Sequence, residues 1–217
     1  MLGWMTPTCQ MANCRFDDLI THKDNKKAMH LAKTWAEKFP EVRRGLLFAG
    51  PAGTGKTHMA AAMASEIQAK VYWATMPELI IELRPESKTQ QAVRVADECY
   101  RKCCGECGPV RQGYKPERNC VYCPHFLRGK QPIIGNAADA PVLVLDDLGT
   151  NKPTDWVAEQ IYNLLNQRIE YGLPVIGTTN YTLEQLETRL GHDRAVSRLV
   201  GLCAVVEVGG EDWRVKR

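Results

Sequence analysis

Five short apolar runs, at 46–49, 70–74, 142–145, 175–178 and 204–208, alternate along the chain with stretches whose apolar positions recur at helical spacing. Runs of this length, rich in Val, Leu and aromatic side chains, read as buried strands. Ahead of the first, Ala28, Leu31, Ala32, Trp35, Ala36 and Phe39 share one face of a helix that starts near Asp24 and stops at Pro40. The same spacing predicts helices over 57–68, 77–83 and about 155–171, and another from about Leu183.

Strands alternating with amphipathic helices imply an α/β fold, a parallel sheet covered on both faces with its ligand at the carboxyl ends of the strands. One connection breaks that plan. Strand two ends near Ala74 and strand three starts near Val142, far more chain than a crossover helix and its loops require. A separate unit is therefore expected at 97–130, interrupting one domain over 16–217. Residues 1–15 carry no periodicity and are expected to be a flexible leading segment.

Composition changes this picture in two places. No apolar run approaches the roughly 18 residues of a membrane span, and no basic and apolar leader opens the chain. A cytoplasmic protein with no membrane partner is expected. The net charge of +3 is too small to make the whole surface a nucleic-acid footprint, but residues 97–130 hold seven Lys or Arg against four Asp or Glu, which accounts for all of it. Of nine cysteines, six fall in that same segment.

The first strand runs into Gly50-Pro51-Ala52-Gly53-Thr54-Gly55-Lys56-Thr57, a complete G-x-x-x-x-G-K-[ST] phosphate-binding loop, with His58 next in line. Its glycines let successive backbone N–H groups wrap the phosphates of a nucleoside triphosphate at a helix start. Lys56 is placed to reach the β- and γ-phosphates and Thr57 to put its hydroxyl on Mg²⁺. Strand three ends in Asp146-Asp147. There Asp146 can hold Mg²⁺ and Asp147 can orient or deprotonate an attacking water. Strand four ends in Thr178-Thr179-Asn180, which brings an amide toward the same γ-phosphate.

In this order the three motifs resemble Walker A, Walker B and sensor 1 of the AAA+ ATPases, and Phe16-Asp17-Asp18-Leu19, Asn25-Lys26-Lys27-Ala28 and Asp146-Asp147-Leu148-Gly149 resemble the DnaC/IstB-like branch. The resemblance covers about 14–96 and 138–217. It implies a five-stranded parallel P-loop sheet flanked by helices, ATP and Mg²⁺ as ligands, ATP hydrolysis, and a homo-oligomer in the ATP state. It also implies that Arg198, in Ser197-Arg198-Leu199, is the arginine finger acting on a neighbouring subunit, and that Arg214, in Asp212-Trp213-Arg214, is the sensor 2 arginine.

The insert supplies different chemistry. Cys104-x2-Cys107 and Cys120-x2-Cys123, twelve residues apart, form two knuckles able to surround one tetrahedral ion. Zn²⁺ suits four thiolates and an iron–sulfur cluster is the alternative, with Cys99, Cys103 and His125 as spare ligands. A segment this short and poor in aliphatics cannot build its own core, whereas a structural zinc contributes roughly 10 to 16 kcal/mol. Tyr100, Tyr114, Tyr122 and Phe126 lie among Arg101, Lys102, Arg111, Lys115, Arg118, Arg128 and Lys130. Two readings of these rings stand: stacking platforms for bases of single-stranded or distorted DNA, or the small core of the insert itself.

The expected function is an ATP-dependent DNA-binding accessory ATPase in DNA replication, resembling a replicative helicase loader. An IstB-like accessory to a transposase is the alternative, followed by a non-hydrolysing adapter and a nucleotide kinase. A zinc segment ahead of the Asp-Asp strand, with no acceptor pattern, argues against the kinase. Helicase loaders of this branch carry an amino-terminal partner-binding domain, and only about 15 residues precede the matched region here.

Overall fold

The computed structural model describes residues 2–4, 13–67, 69–83, 133–191 and 193–212. Its six strands are β1 (Leu2–Trp4), β2 (Gly45–Ala49), β3 (Val71–Thr75), β4 (Val142–Leu148), β5 (Val175–Thr179) and β6 (Cys203–Glu207). They form one sheet in the order β1-β3-β4-β5-β2-β6, in which β2 to β6 are mutually parallel. The parallel sheet expected from the alternation of strands and helices is thus present, with β2 between β5 and β6.

Seven α-helices join these strands among the described residues: α1 (Lys26–Lys38), α2 (Lys56–Glu66), α3 (Met76–Leu83), α4 (Ile133–Asp139), α5 (Asp155–Tyr171), α6 (Leu183–Leu190) and α7 (Asp193–Leu202). Period-two alternation divides the core between the two faces of the sheet. Leu46, Phe48, Val71, Trp73, Val142 and Val144 pack with α1 and α2. Leu47, Tyr72, Ala74, Leu143 and Leu145 pack on the other face with α3 to α7. Because both faces are covered, the strands carry continuous apolar runs rather than an in–out alternation. Truncating a fully buried leucine such as Leu47 or Leu143 to Ala is expected to cost about 2 to 5 kcal/mol.

The structure departs from the sequence reading in five local places. Leu2–Trp4, in the segment expected to lack regular structure, pairs antiparallel with β3, with Leu2 opposite Ala74. The inner face of α1 is Ala28, Met29, Ala32 and Trp35, while Leu31 is 37% exposed. Met29 and Leu31 flank the stripe on opposite sides, and only the Met29 side is buried. β4 runs on to Leu148, so Asp146 and Asp147 lie within the strand rather than at its very end. The helix expected from Leu183 breaks at Gly191, whose left-handed φ of 80° ends α6 before α7 begins. Finally, α4 was not legible from periodicity. The cysteine-rich insert, with Cys104, Cys107, Cys120 and Cys123, lies outside the described residues.

One side chain ties α4 to the sheet. Arg168, on α5, is fully buried and donates through Nη1 to the carbonyl oxygens of Ala137, Ala138 and Ala140 at 2.7, 3.1 and 2.9 Å. Its Nη2 donates to Pro174 O at 2.6 Å. These carbonyls belong to the end of α4 and the entries to β4 and β5, where a cation meets the negative end of a helix. Burial pulls the Arg168 pKa down to about 9. The guanidinium therefore stays protonated at neutral pH.

Candidate nucleotide site

The loop 50–57 joins β2 to α2. Gly55, at φ 88°, is the residue before the first turn of α2, a left-handed conformation that glycine takes without a Cβ clash. The loop opens α2, and the N–H groups at a helix start form a cradle for an anion. Within it, Thr54 Oγ1 donates to Pro51 O at 2.9 Å. Lys56 is only 5% exposed, and its Nζ donates to Gly50 O at 2.8 Å and Pro51 O at 2.5 Å. The loop's own carbonyls thus hold the ammonium inside the turn where phosphates would lie.

Beside it, the ends of β4 and β5 place a buried carboxylate between two hydroxyls. Thr57 Oγ1 donates to Asp146 Oδ1 at 2.9 Å, and Thr178 Oγ1 donates to the same oxygen at 2.6 Å. Thr178 also accepts the Asp147 N–H at 2.9 Å. Asp146 is 4% exposed, and burial holds its carboxyl above the ordinary carboxylate range, with Asp147 pushing the same way. The hydrogen bonds from Thr178 and Thr57 oppose that shift without cancelling it. Such a group favours a bound cation. Among the described residues, Asp147 is the one non-glycine residue at positive φ, 56°, and it sits at a register shift between β4 and β5. Left-handed backbone in a side-chain-bearing residue concentrates at functional sites.

The remaining site positions fall as follows. Asn180 is exposed immediately after β5. His58 is half-buried, with Nε2 3.1 Å from Arg15 O. Val208 N donates to Ala49 O at 2.8 Å, so the segment after β6 crosses the loop, and Asp212 Oδ1 stands against Gly53. Arg214 lies outside the described residues. Arg198 is half-buried on α7, its Nη2 3.5 Å from Tyr162 OH on α5. The structure therefore brings Lys56, Thr57 and Asp146 together and leaves Arg198 on the α5–α7 face.

Sequence reasoning gave Thr178 no role, although two adjacent buried threonines at a strand end require partners, which was the available signal. Thr179 Oγ1 meets that requirement by donating to Leu148 O at 2.9 Å.

Whether these residues suit a triphosphate with its magnesium can be judged from the donor set. A glycine loop at a helix start, a buried ammonium, a threonine hydroxyl and a buried carboxylate form the hard oxygen and cationic set that such a ligand requires. They fit. Among the described residues, no group of three or more His, Cys, Asp or Glu is arranged to hold a metal without such a ligand.

The five parallel strands, their flanking helices and this loop define a P-loop AAA fold, and the AAA family of ATPases (ATPase family associated with various cellular activities) matches residues 46–104. The chain has homology to replicative helicase loaders: it is 24% identical to DnaI of Bacillus subtilis (strain 168) over 186 residues, which is 79% of this chain and 48% of DnaI. It thus spans about half the length of that relative. The crystal structure of the DnaC helicase loader superposes with a TM-score of 0.63 at 24% identity, covering 93% of this chain and all of that one. That of DnaI gives 0.63 at 20% identity, covering 92% and 93%. No described helix is long and apolar enough to cross a membrane.

Proposed function

We propose that the chain is an ATP-dependent, DNA-binding accessory ATPase in DNA replication that acts on a replicative helicase as helicase loaders do. The observation that carries this reading is the buried Thr57–Asp146–Thr178 cluster beside Lys56, in a fold shared with DnaC and DnaI. Lys56 leaves the Gly50 and Pro51 carbonyls for phosphate oxygens. Thr57 and Asp146 would hold Mg²⁺, which would supply charge neutralisation at the phosphates. Asp147 orients the attacking water and Asn180 contacts the γ-phosphate side. Arg198 of one subunit acts on the nucleotide of the next, and Arg214 serves as the sensor 2 arginine for its own subunit's nucleotide. Each subunit then carries half of a shared site, so turnover and assembly are coupled.

The insert is proposed to bind Zn²⁺ through Cys104, Cys107, Cys120 and Cys123 and to follow single-stranded DNA with its basic and aromatic residues. Their spacing and composition support this. Charge reversal at Arg111, Lys115 and Arg118 in the zinc-loaded protein should then weaken DNA binding, and unchanged affinity would remove the insert from the DNA-binding role.

Affinity purification from the native cell in ATP tests the reading as a whole. Co-purification of the replicative helicase with the wild-type chain, and its loss with Lys56→Ala, is the expected result. Recovery of a transposase would replace this function with target-DNA remodelling, and recovery of neither would overturn both.

A further inference from the structure

The strained turn that carries Asp147 is held from outside the nucleotide cluster. Asp147 O accepts from Thr150 Oγ1 at 2.8 Å and from Thr150 N at 3.3 Å, which closes the turn through Gly149. A Cβ on Gly149 would stand 2.8 Å from Leu186 Cδ2 and 2.9 Å from Tyr181 Cδ2, so the ring of Tyr181 presses directly on this turn. The guanidinium of Arg189, in the last turn of α6, lies 3.9 Å over the centre of that ring. The same guanidinium donates through Nη1 to Gly149 O at 3.1 Å. Tyr181 follows Asn180 directly, and its N–H donates to Thr179 Oγ1 at 3.1 Å.

One side chain therefore touches both loops of the site. Its planar face covers the residue after Asn180 and its edge holds the turn after Asp147. Arg is suited to that double contact because its flat cation stacks while its fork donates, and a lysine ammonium cannot do both. Arg189 is half-buried, so neither contact is fully screened by water. It also ends the helix that leads through Gly191 into α7, the helix bearing Arg198.

We propose that Arg189 is a positioning residue: stacked on Tyr181 and bonded to Gly149, it holds Asp147 and Asn180 in one fixed relation at the nucleotide. It meets no reacting atom itself. The proposal rests on the ATPase reading above for its consequence in turnover, but the loop-holding role is independent of that reading.

Two measurements test it on the full chain. The first is steady-state ATP turnover for wild type, Arg189→Ala, Arg189→Lys and Tyr181→Phe, with Lys56→Ala as the control. Arg189→Ala should lower kcat about tenfold to a hundredfold while KM moves less than about twofold, the pattern of lost positioning. Arg189→Lys should recover only part of the loss and Tyr181→Phe should keep full activity, since the ring and not its hydroxyl carries the stack. An unchanged kcat, a loss confined to KM, or full rescue by lysine would overturn the proposal. The second is amide hydrogen exchange without nucleotide. Arg189→Ala should speed exchange in peptides spanning 148–151 and 180–183 and leave the peptide spanning 50–57 unchanged. Uniform or absent change would overturn the proposal even if the wild-type chain hydrolyses no ATP, an outcome that would by itself sink only the ATPase reading.

Discussion

Two charged side chains are buried at opposite ends of the same sheet, and they are treated in opposite ways. At the amino end, Arg168 is fully buried against four backbone carbonyls, all of them fixed by α4 and the entries to β4 and β5. At the carboxyl end, Asp146 is nearly as buried but has two hydroxyl donors on one oxygen and a second carboxylate as its neighbour, so burial keeps its pKa raised. The first charge is held by four fixed backbone acceptors through its two Nη atoms, although burial still lowers its pKa and its Nε has no hydrogen-bond partner among the described residues, and it is structural. The second sits among two hydroxyl donors beside another carboxylate, and on the proposed function a cation would complete it. The amino end closes in the same way around Cys203, whose Sγ donates to Val175 O at 3.1 Å and whose pKa is pushed up to about 12 by burial.

The largest effect expected from this contrast is at the open end. Lys56→Ala should abolish nucleotide binding, measured by calorimetry, while the apo protein keeps its cooperative unfolding. Next, Arg168→Met should destabilise the fold by about 3 to 5 kcal/mol in urea unfolding, since it strands four carbonyls, without changing nucleotide affinity where the protein remains folded. If Arg168→Met proved neutral in stability, the amino end would not be the structural site described here.

A smaller effect distinguishes Asp146 from Arg168 by sign. Because the folded-state pKa of Asp146 is raised, the folded apo protein binds a proton more readily than the unfolded chain over the window between the two values. Apo stability should therefore fall as pH rises from the ordinary value of 3.8 through the raised one, and level off above it. Asp146→Asn should remove that decline and leave apo stability equal or slightly higher at neutral pH, while Mg²⁺ no longer strengthens nucleotide binding. A clear loss of apo stability in Asp146→Asn would make it a structural group like Arg168. The smallest effect concerns Cys203, which should resist alkylation at neutral pH while half-buried Cys14 reacts, with Cys203 labelled only as fast as the chain unfolds.

The contrast also explains what was legible in the chain. The open end is local: Gly50 to Thr57 forms its loop from consecutive residues, and Asp146-Asp147 directly follows the unbroken apolar run 142–145, so pattern alone locates both. The five parallel strands were readable for the same reason. Arg168 carries no such signal, because its four acceptors are backbone carbonyls, which no side-chain pattern encodes. Arg189 and Tyr181 were likewise hidden, since their meeting with Gly149 is made across 40 residues of sequence by α6 folding back on the loop after β4. Met29 in place of Leu31 on the inner face of α1 was lost to geometry: helical spacing admits both positions at the edge of the stripe, and only docking decides between them.

On the proposed function, the carboxyl-end cluster is half of a site that Arg198 of a neighbouring subunit completes. Mixing Arg198→Ala with Asp147→Asn in equal amounts and measuring ATP turnover tests it most directly. Each variant alone should be nearly inactive while still binding nucleotide. The mixture should recover activity, because random assembly pairs an intact Asp147 with an intact Arg198 at about a quarter of the interfaces. A mixture no more active than its two components would contradict a site shared between subunits.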